Sequence, residues 1–409
     1  MDTKKKTITI GDLPAELFHK VLEQLGCEDR ETLAACSLVC RRWFDISRQH
    51  LFSDIHVPRD CDETFEDLAT FLDLHETTAS YVRALNLEAR LFHIPPVISL
   101  MPSLPLDLLF RILRALPNLK ILRMRQIKIA PSDHSDVSRL HRFNLEHMEY
   151  QKCLSEIGHT FELLSWFHID HFDFDPLFSD SKETEIKAGD YALDVRSLCV
   201  SPWTTDPRLT FQVLQQVVPR YMLKSFRYPS LTILSTPVPV VDFLREVGQN
   251  IIDLNLCPSG QDDYLVLPQL PSLKVFRYHL EISLFCRPAD LTLQEAIFAS
   301  FKESWLPHLP MDLEQLIMYL TYPELEDGFV PEATTSALWG LESALSRFSR
   351  LKKLSLIFPS LPCDMKTARA AAAVCFPTYH NRGVLEVDVR DFALECRDFD
   401  IYGYLRECC

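Results

Sequence analysis

Glycine is scarce and widely scattered in this chain. Ten glycines occur among 409 residues, and no two of them lie within ten residues of each other. Phosphate-binding loops, dinucleotide-binding fingerprints and the tight turn that presents a nucleophilic serine all require closely spaced glycines. The sequence therefore excludes the standard form of these three sites, and we predict that the chain is not an enzyme.

Paired cysteine motifs are also missing, although the chain contains thirteen cysteines. Neither Cys-x-x-Cys nor His-Glu-x-x-His occurs, which excludes the common zinc motifs, and we expect no cofactor. Residues 1–11 contain three lysines but no apolar segment follows them, so we expect no secretory signal. Scattered cysteines in such a chain are typical of reduced thiols, which predicts a cytoplasmic or nuclear protein.

An excess of positive charge and a long apolar run are absent as well. The formal net charge is -15 at pH 7, whereas nucleic acids and anionic membranes attract basic surfaces. No uninterrupted apolar run approaches the roughly 18 residues that a membrane-spanning helix needs. We therefore expect neither nucleic acid nor membrane among the partners of this protein.

Two short clusters contain residue types that bind metals. Cys36 and Cys40 stand one helical turn apart in the sequence, but buried free cysteines in a helix are the preferred interpretation. His168 and Asp170 would share one face of a strand, but the apolar residues between and around them favour a half-buried strand. We therefore predict no metal site.

Residues 8–55 carry the densest set of helix signals in the chain. Pro14 suits the first turn of a helix, and Gly26 ends that helix. A second helix is expected from near Asp29, and a third from Ser37, because serine is favoured at helix N-caps. Three helices of this size cannot bury all their apolar side chains among themselves, so the surplus predicts a partner.

The order and spacing of these residues resemble an F-box. The resemblance is carried by Leu13-Pro14-x-Glu16-Leu17, Val21-Leu22-x-x-Leu25, Leu33, Cys36-Ser37-Leu38-Val39-Cys40-Arg41-x-Trp43-Phe44 and Leu51-Phe52. It implies docking onto the Skp-family adaptor of a cullin–RING ubiquitin ligase. The residues that it implies for adaptor binding are Leu13, Pro14, Leu17, Leu38, Val39 and Trp43. The indole of Trp43 is also expected to pack between the helices.

A degenerate phrase, apolar-x-x-apolar-x-apolar, recurs through the rest of the chain. Its ten copies begin at Val82, Leu119, Leu164, Val195, Leu223, Ile251, Leu273, Leu313, Leu351 and Val384. Each copy predicts a short strand, and an amphipathic stretch that predicts a helix precedes most of them. Such repeats resemble the irregular leucine-rich repeats of fungal-type F-box proteins. The alternative is an ordinary α/β domain whose parallel strands all consist of apolar runs.

These observations predict an α/β chain with an N-terminal three-helix F-box and an irregular solenoid that resembles leucine-rich repeats. The expected boundaries are 8–55 for the F-box, 56–81 for a connecting helical segment and 82–409 for the repeat region. At this length at least two structural units are expected.

The resemblance also implies a function. It predicts a non-catalytic substrate-recognition subunit of an SCF-type E3 ubiquitin ligase, joined through the adaptor to cullin and RING subunits. The F-box would dock on the adaptor, and the repeats would hold a target protein. The alternative is a structural or regulatory interaction protein that binds the adaptor without delivering a substrate.

Arginine recurs at the fifth position of three of the repeated phrases. These residues are Arg123, Arg227 and Arg277, and we expect them on the outer face of the strands. In an acidic chain a basic strip would select its partner, which gives the hypothesis of an acidic or phosphorylated target segment. The alternative is that these charges are simply solvated.

Overall fold

The computed structural model describes most of the chain, in two compact units that comprise Met1–Trp166 and Phe167–Cys409. The described residues are 14–25, 29–58, 63–88, 101–131, 142–179, 192–201, 206–229, 238–257, 266–281, 301–321, 338, 340–359 and 365–390. Within these ranges the structure has no helix that combines the length and apolar character needed to cross a membrane.

The first unit begins with three helices. They are α1 (Ala15–Leu25), α2 (Arg30–Ser37) and α3 (Arg41–Leu51). Asp29 caps α2, because its carboxylate accepts a hydrogen bond from the backbone N–H of Thr32 at 3.1 Å. The predicted start of the third helix at Ser37 is wrong. Ser37 ends α2 and donates its hydroxyl proton to the carbonyl of Ala34, whereas Cys40 is the N-cap of α3.

The rest of the first unit combines short helices with parallel strands. Its further helices are α4 (Glu63–Leu74), α5 (Glu76–Ala79), α6 (Leu106–Arg114) and α7 (Ile157–Leu164). Its strands are β1 (Asp54–Pro58), β2 (Ala84–Glu88), β3 (Ser103–Pro105), β4 (Ile121–Arg125), β5 (Lys128–Ala130) and β6 (Phe143–Ser155). The main strand order is β1-β2-β4-β6, β3 pairs with β5, and β5 also pairs with β6.

Within the first unit, β6 pairs first with β4 and then with β5. Residues 147–151 run parallel to β4, and Leu154 then pairs with Lys128 of β5. Two residues with positive φ lie at these steps. Gln126 (55°) lies between β4 and β5, and Lys152 (51°) lies in β6 between the segments that pair with β4 and β5. The template of repeated phrases predicted neither β1 nor β6, so it missed two of the four strands in the main order.

The described residues of the second unit form eight strands in chain order, all in parallel pairs. They are β7 (Phe167–Phe178), β8 (Asp194–Val200), β9 (Ser225–Pro229), β10 (Asp253–Cys257), β11 (Val275–Glu281), β12 (Gln315–Thr321), β13 (Lys353–Pro359) and β14 (Leu385–Arg390). The described helices are α8 (Pro207–Val217), α9 (Val238–Val247), α10 (Leu341–Leu345), α11 (Met365–Cys375) and α12 (Pro377–Asn381). A π-helical turn also lies at Phe301–Trp305.

A buried row of large side chains crosses the strands of the second unit. The parallel register aligns Phe172, Leu198, Phe226, Leu254, Phe276, Leu316 and Leu354. Each of these side chains is at most 1% exposed. The helices cover this row, since Phe211 of α8 and Phe243 of α9 lie 6.3 and 5.2 Å from the ring of Phe226. Apolar burial at this density is the main source of stability in such a sheet.

All ten repeated phrases contribute a strand, namely β2, β4 and β7 to β14. An amphipathic stretch was predicted before most of the phrases. Those around Phe110, Phe211 and Phe243 form helices α6, α8 and α9. Chain-order parallel pairing is compatible with a solenoid-like arrangement, in which each repeat contacts its neighbours. The assignment to leucine-rich repeats stays a prediction.

Candidate functional site

Helix α1 presents apolar side chains in two directions. Phe18 and Leu22 are buried and form a small core with Leu33 and Ile46 of the next two helices. One position before each of them, Leu17 and Val21 are 48% and 53% exposed. Since Leu17 and Val21 are one turn apart, they lie on a common outer face of the helix.

The turn between α2 and α3 exposes two further apolar residues. Leu38 is 85% and Val39 is 61% exposed. Backbone hydrogen bonds hold this turn, from the Leu38 N–H to the Ala35 carbonyl at 3.1 Å and from the Val39 N–H to the Cys36 carbonyl at 3.2 Å. Two adjacent apolar side chains in a well-formed turn are costly in water, so they mark a place where another surface can bind.

Trp43 occupies an inner position. Its ring packs on Phe18 with centroids 4.2 Å apart, which agrees with the expectation that it lies between the helices. Phe44, the next residue on α3, is exposed, and the guanidinium carbon of Arg48 lies 4.9 Å from the centre of its ring. The core therefore uses one aromatic side chain and leaves the other at the surface.

The six residues implied for adaptor binding have different surroundings. Pro14, Leu17, Leu38 and Val39 are exposed, Trp43 is partly buried, and Leu13 lies outside the described residues. Sequence reasoning did not assign Val21 and Phe44 to this set. The four-residue step from Leu17 was the available signal for Val21.

Residues 10–57 match the F-box-like family model. The matched segment contains the three helices and all the exposed apolar residues just described. F-box domains bind Skp-family adaptors, so the match supports an adaptor of this kind as partner. The curated proteins that were compared contain no match to this chain.

Cys36 and Cys40 of the F-box-like domain do not share one helix. Cys36 lies in α2 and is partly buried against the small core, whereas Cys40 precedes α3 and is exposed. The prediction that both are buried in the third helix is therefore wrong. The physical reason is that α2 extends to Ser37 and α3 begins only at Arg41, so a turn separates the two cysteines.

The outer strand face of the first unit carries one of the predicted arginines. Arg123 lies between Asn86 and Glu149 in the register, and it donates hydrogen bonds to both, at 3.0 and 2.7 Å. Arg125 donates to the other carboxylate oxygen of Glu149 at 2.7 Å. Arg123 therefore already has a carboxylate partner within its own sheet.

Glu149 is the most strongly perturbed carboxylate of this face. Burial alone would raise its pKa, but a hydrogen bond with His147 and the charges and hydrogen bonds of Arg125 and Arg123 together lower it to about 2. Its side chain is only 10% exposed. The carboxylate is therefore ionised near neutral pH and binds the two arginines together.

The other two predicted arginines lie in one row of the second unit. Arg227 and Arg277 flank Asn255 on successive strands, as the fifth-position pattern predicts. Arg277 forms an ion pair with Asp253 at 2.9 Å. The row therefore contains acidic as well as basic side chains.

A stacked pair lies beside this row. His279 of β11 and Tyr319 of β12 are register partners, and their rings stack 4.0 Å apart with planes 4° from parallel. Burial and the charges of Arg227 and Arg277 lower the pKa of His279 to about 3. The imidazole is therefore neutral at physiological pH.

The predicted histidine–aspartate cluster, His168 and Asp170, lies on β7, and His168 contacts the neighbouring strand. The Nδ1 atom of His168 lies 3.0 Å from a carboxylate oxygen of Asp194, its register partner on β8. Further along the same two strands, Asp173 of β7 is the register partner of Cys199 of β8. Burial and the carboxylate of Asp173 raise the pKa of the Cys199 thiol. These contacts connect β7 with β8.

Lys120, Lys274 and Lys352, at the second position of three of the phrases, also have acidic neighbours. Lys274 and Lys352 both contact Glu314, at 3.1 and 2.6 Å, and Lys120 pairs with Glu146. Hydrogen bonds and charges from Lys352 and Lys274 lower the pKa of Glu314. Such exposed pairs contribute little to stability. Their carboxylates nevertheless neutralise much of the positive charge of these lysines.

Proposed function

We propose that this chain is a non-catalytic substrate-recognition subunit of an SCF-type ubiquitin ligase. In this proposal the F-box-like domain docks on a Skp-family adaptor, which joins the chain to cullin and RING subunits. The observation that carries it is the exposed apolar set of Leu17, Val21, Leu38 and Val39 within residues that match the F-box-like model.

The first unit supports a rigid link between this docking surface and the strands that follow. Arg48 of α3 donates to the hydroxyl of Thr78 of α5 at 3.0 Å, and Arg30 of α2 donates to the Asp54 carbonyl at 3.0 Å. An adaptor that binds the F-box-like domain would thereby also orient β1. The catalytic contribution is proximity, since a held target has a high effective concentration near the charged conjugating enzyme.

The target-binding part of the proposal rests on the outer strand faces. The row of Arg227, Asn255 and Arg277 supports an acidic or phosphorylated segment as ligand, because arginine forks match carboxylate and phosphate groups. We also propose a cytoplasmic or nuclear location, because the scattered cysteines are typical of reduced thiols.

Charge reversal tests the target-binding row. We expect Arg227→Glu with Arg277→Glu to reduce capture of the target at least about tenfold, because each charged hydrogen bond contributes about 1.5–3 kcal/mol. The measurement is the amount of target that co-purifies with the full chain. The matched control is Arg208→Glu with Arg245→Glu, two exposed arginines of helices α8 and α9. Equal capture by both double variants would exclude the row from target binding.

Cellular deletion distinguishes the proposal from the alternative of an interaction protein without a substrate. We expect the full chain to co-purify with adaptor, cullin and RING subunits, and at least one protein to accumulate when the chain is deleted. The same protein should accumulate when the chain carries Leu38→Asp with Val39→Asp. If the complex forms but no protein accumulates, the alternative is supported and the proposal fails.

A further inference from the structure

Strand β14 lies at one end of the strand order in the second unit. It pairs with β13 on one side, and among the described residues no strand pairs with its other side. A sheet edge of this kind presents a row of backbone N–H and C=O groups to which a further strand can bind. The free edge of β14 is therefore a place where another extended segment can add to the sheet.

The backbone groups that face this free edge follow from the hydrogen bonds to β13. The Leu354 N–H of β13 donates to the Val384 carbonyl at 3.0 Å. In a parallel ladder, alternate residues of a strand bond to opposite neighbours. Every second residue from Val384 onwards therefore bonds to β13. The N–H and C=O groups of the residues between them point away from β13, and these residues are Leu385, Val387 and Val389.

A local hydrogen bond agrees with this direction. The Val389 N–H donates to the carboxylate of the adjacent Asp388 at 2.9 Å, so it faces away from β13. This bond satisfies one of the outward donors within β14 itself. The N–H and C=O groups of Leu385 and Val387 are then the ones that a partner strand would bind.

The apolar side chains of β14 are less buried than those of the strand before it. On β13 these side chains are 0% exposed at Leu354, Leu356 and Phe358. Their register partners on β14 are only half-buried, namely Leu385, Val387 and Val389. The end of an array of repeats needs a cap, because its last apolar face has no following repeat. An added strand with apolar side chains at alternate positions would complete this burial.

The opposite face of β14 is acidic. Glu386 and Asp388 alternate with the apolar residues, so they share this face. The Glu386 carboxylate lies 2.7 Å from the Nζ atom of Lys353 on β13, in a pair that is exposed and therefore weak. A carboxylate can accept further hydrogen bonds. Basic side chains directly across from Glu386 and Asp388 on an added strand would thus be favourable.

Two other candidates for this edge carry unsuitable charges. A second copy of β14 would pair antiparallel about a two-fold axis, which brings Glu386 and Asp388 of the two copies together. Residues 391–409 follow β14 in the sequence and contain five acidic and two basic side chains. Like charges across two strands are destabilising, so the acidic face of β14 favours a partner of opposite charge.

We propose that the free edge of β14, at residues 385–389, binds an extended segment of another protein in which basic side chains alternate with apolar ones. The segment would add a strand to the sheet, as in other cases of β-augmentation. Its apolar side chains would cover the half-buried side of β14, and its basic side chains would face Glu386 and Asp388. The site goes beyond the target-binding row of arginines, because it lies on another strand and selects the opposite charge.

A short fluorescent peptide in which lysine alternates with valine and threonine tests this edge. We expect saturable binding to the full chain that weakens as the salt concentration rises. Val387→Pro should weaken binding more than about tenfold, because proline lacks the outward N–H and its ring obstructs the edge. Since that N–H makes no bond to β13, the variant should still fold. Glu386→Lys with Asp388→Lys should weaken binding at least about fivefold, because attractive pairs between strands become repulsive.

Each variant has a matched control. Val387→Thr keeps the backbone N–H and a β-branched side chain, so it should bind the peptide like the unmodified chain. Glu303→Lys with Asp312→Lys reverses two exposed carboxylates elsewhere in the second unit and should also leave binding unchanged. The chain is acidic overall, with a formal net charge of -15, so a lysine peptide can bind at other places and only the difference between variants counts.

Absence of saturable binding would overturn the proposal, and so would equal binding by Val387→Pro and Val387→Thr. If Val387→Pro does not fold, equal binding by the two charge-reversed variants would overturn it instead. Hydrogen exchange of the Leu385 and Val387 amides tests the other occupants, and both amides should exchange slowly only when the peptide is bound. Slow exchange without peptide would assign the edge to a second copy if it depends on protein concentration, or to residues 391–409 if it does not. Either result would also overturn the proposal.

Discussion

Leu38→Asp with Val39→Asp is expected to abolish capture of a Skp-family adaptor by the full chain. Each of the two side chains gains about 1.5–3 kcal/mol when it is fully buried, and the aspartates add the cost of burying charge. A loss of about 4 kcal/mol corresponds to about 1000-fold in affinity. The measurement is the dissociation constant of the purified full chain and adaptor.

The chain offers a matched control for this variant. Leu74 and Val374 are 73% and 62% exposed but lie outside the residues that match the F-box-like model. Leu74→Asp with Val374→Asp introduces the same charges and should leave adaptor affinity unchanged. If Leu38→Asp with Val39→Asp bound the adaptor as tightly as this control, the turn between α2 and α3 would not be part of the interface.

Glu149→Ala is expected to destabilise the first unit by about 3 kcal/mol. The substitution leaves Arg123, Arg125 and His147 without their shared carboxylate, and removal of one partner from a buried ion pair costs about 3–5 kcal/mol. The lower end applies because the two arginines are about one-third exposed. Urea unfolding of the two proteins measures the difference in free energy.

Glu146→Ala is the control on the same strand. Glu146 pairs with Lys120 at an exposed position, so its removal should cost no more than about 1 kcal/mol. Equal destabilisation by the two variants would show that the clamp around Glu149 contributes no more than a surface pair.

The same carboxylate predicts an acid-dependent loss of stability. Its pKa is lowered from 4.5 to about 2 in the folded chain. The stabilisation, about 3 kcal/mol by linkage, is therefore complete above pH 4.5 and is lost as the pH falls towards 2. Between pH 5 and 2.5 the unmodified chain should lose more unfolding free energy than Glu149→Ala. Parallel pH profiles for the two proteins would contradict the assigned pKa.

Local apolar spacing predicted most of the strands, and a stricter use of it would have predicted more. Phe52, Ile55 and Val57 repeat the template at β1, and Leu145, Met148 and Tyr150 repeat it at the start of β6. The first set spans the boundary between the predicted F-box at 8–55 and the predicted connecting helical segment at 56–81, so no strand was predicted there. Spacing is a local property, so it can be determined before any partner strand is known.

The partners of the outer-face charges were beyond such prediction. Arg123 meets Glu149 twenty-six residues later, and Arg277 meets Asp253 twenty-four residues earlier. These pairs depend on the lengths of the intervening helices and loops, which set the register between strands. The sequence predicted the row of arginines but not the carboxylates beside them.

By itself the sequence determined the F-box-like helices, the ten repeated strands and the absence of the standard glycine-rich and paired-cysteine sites. Those features depend on residue types at short spacing. Only the tertiary structure decided which apolar residues remain exposed, since burial of Phe18 and exposure of Leu17 follow from the packing of three helices. It likewise decided that His19 and His50, thirty-one residues apart, form a hydrogen bond.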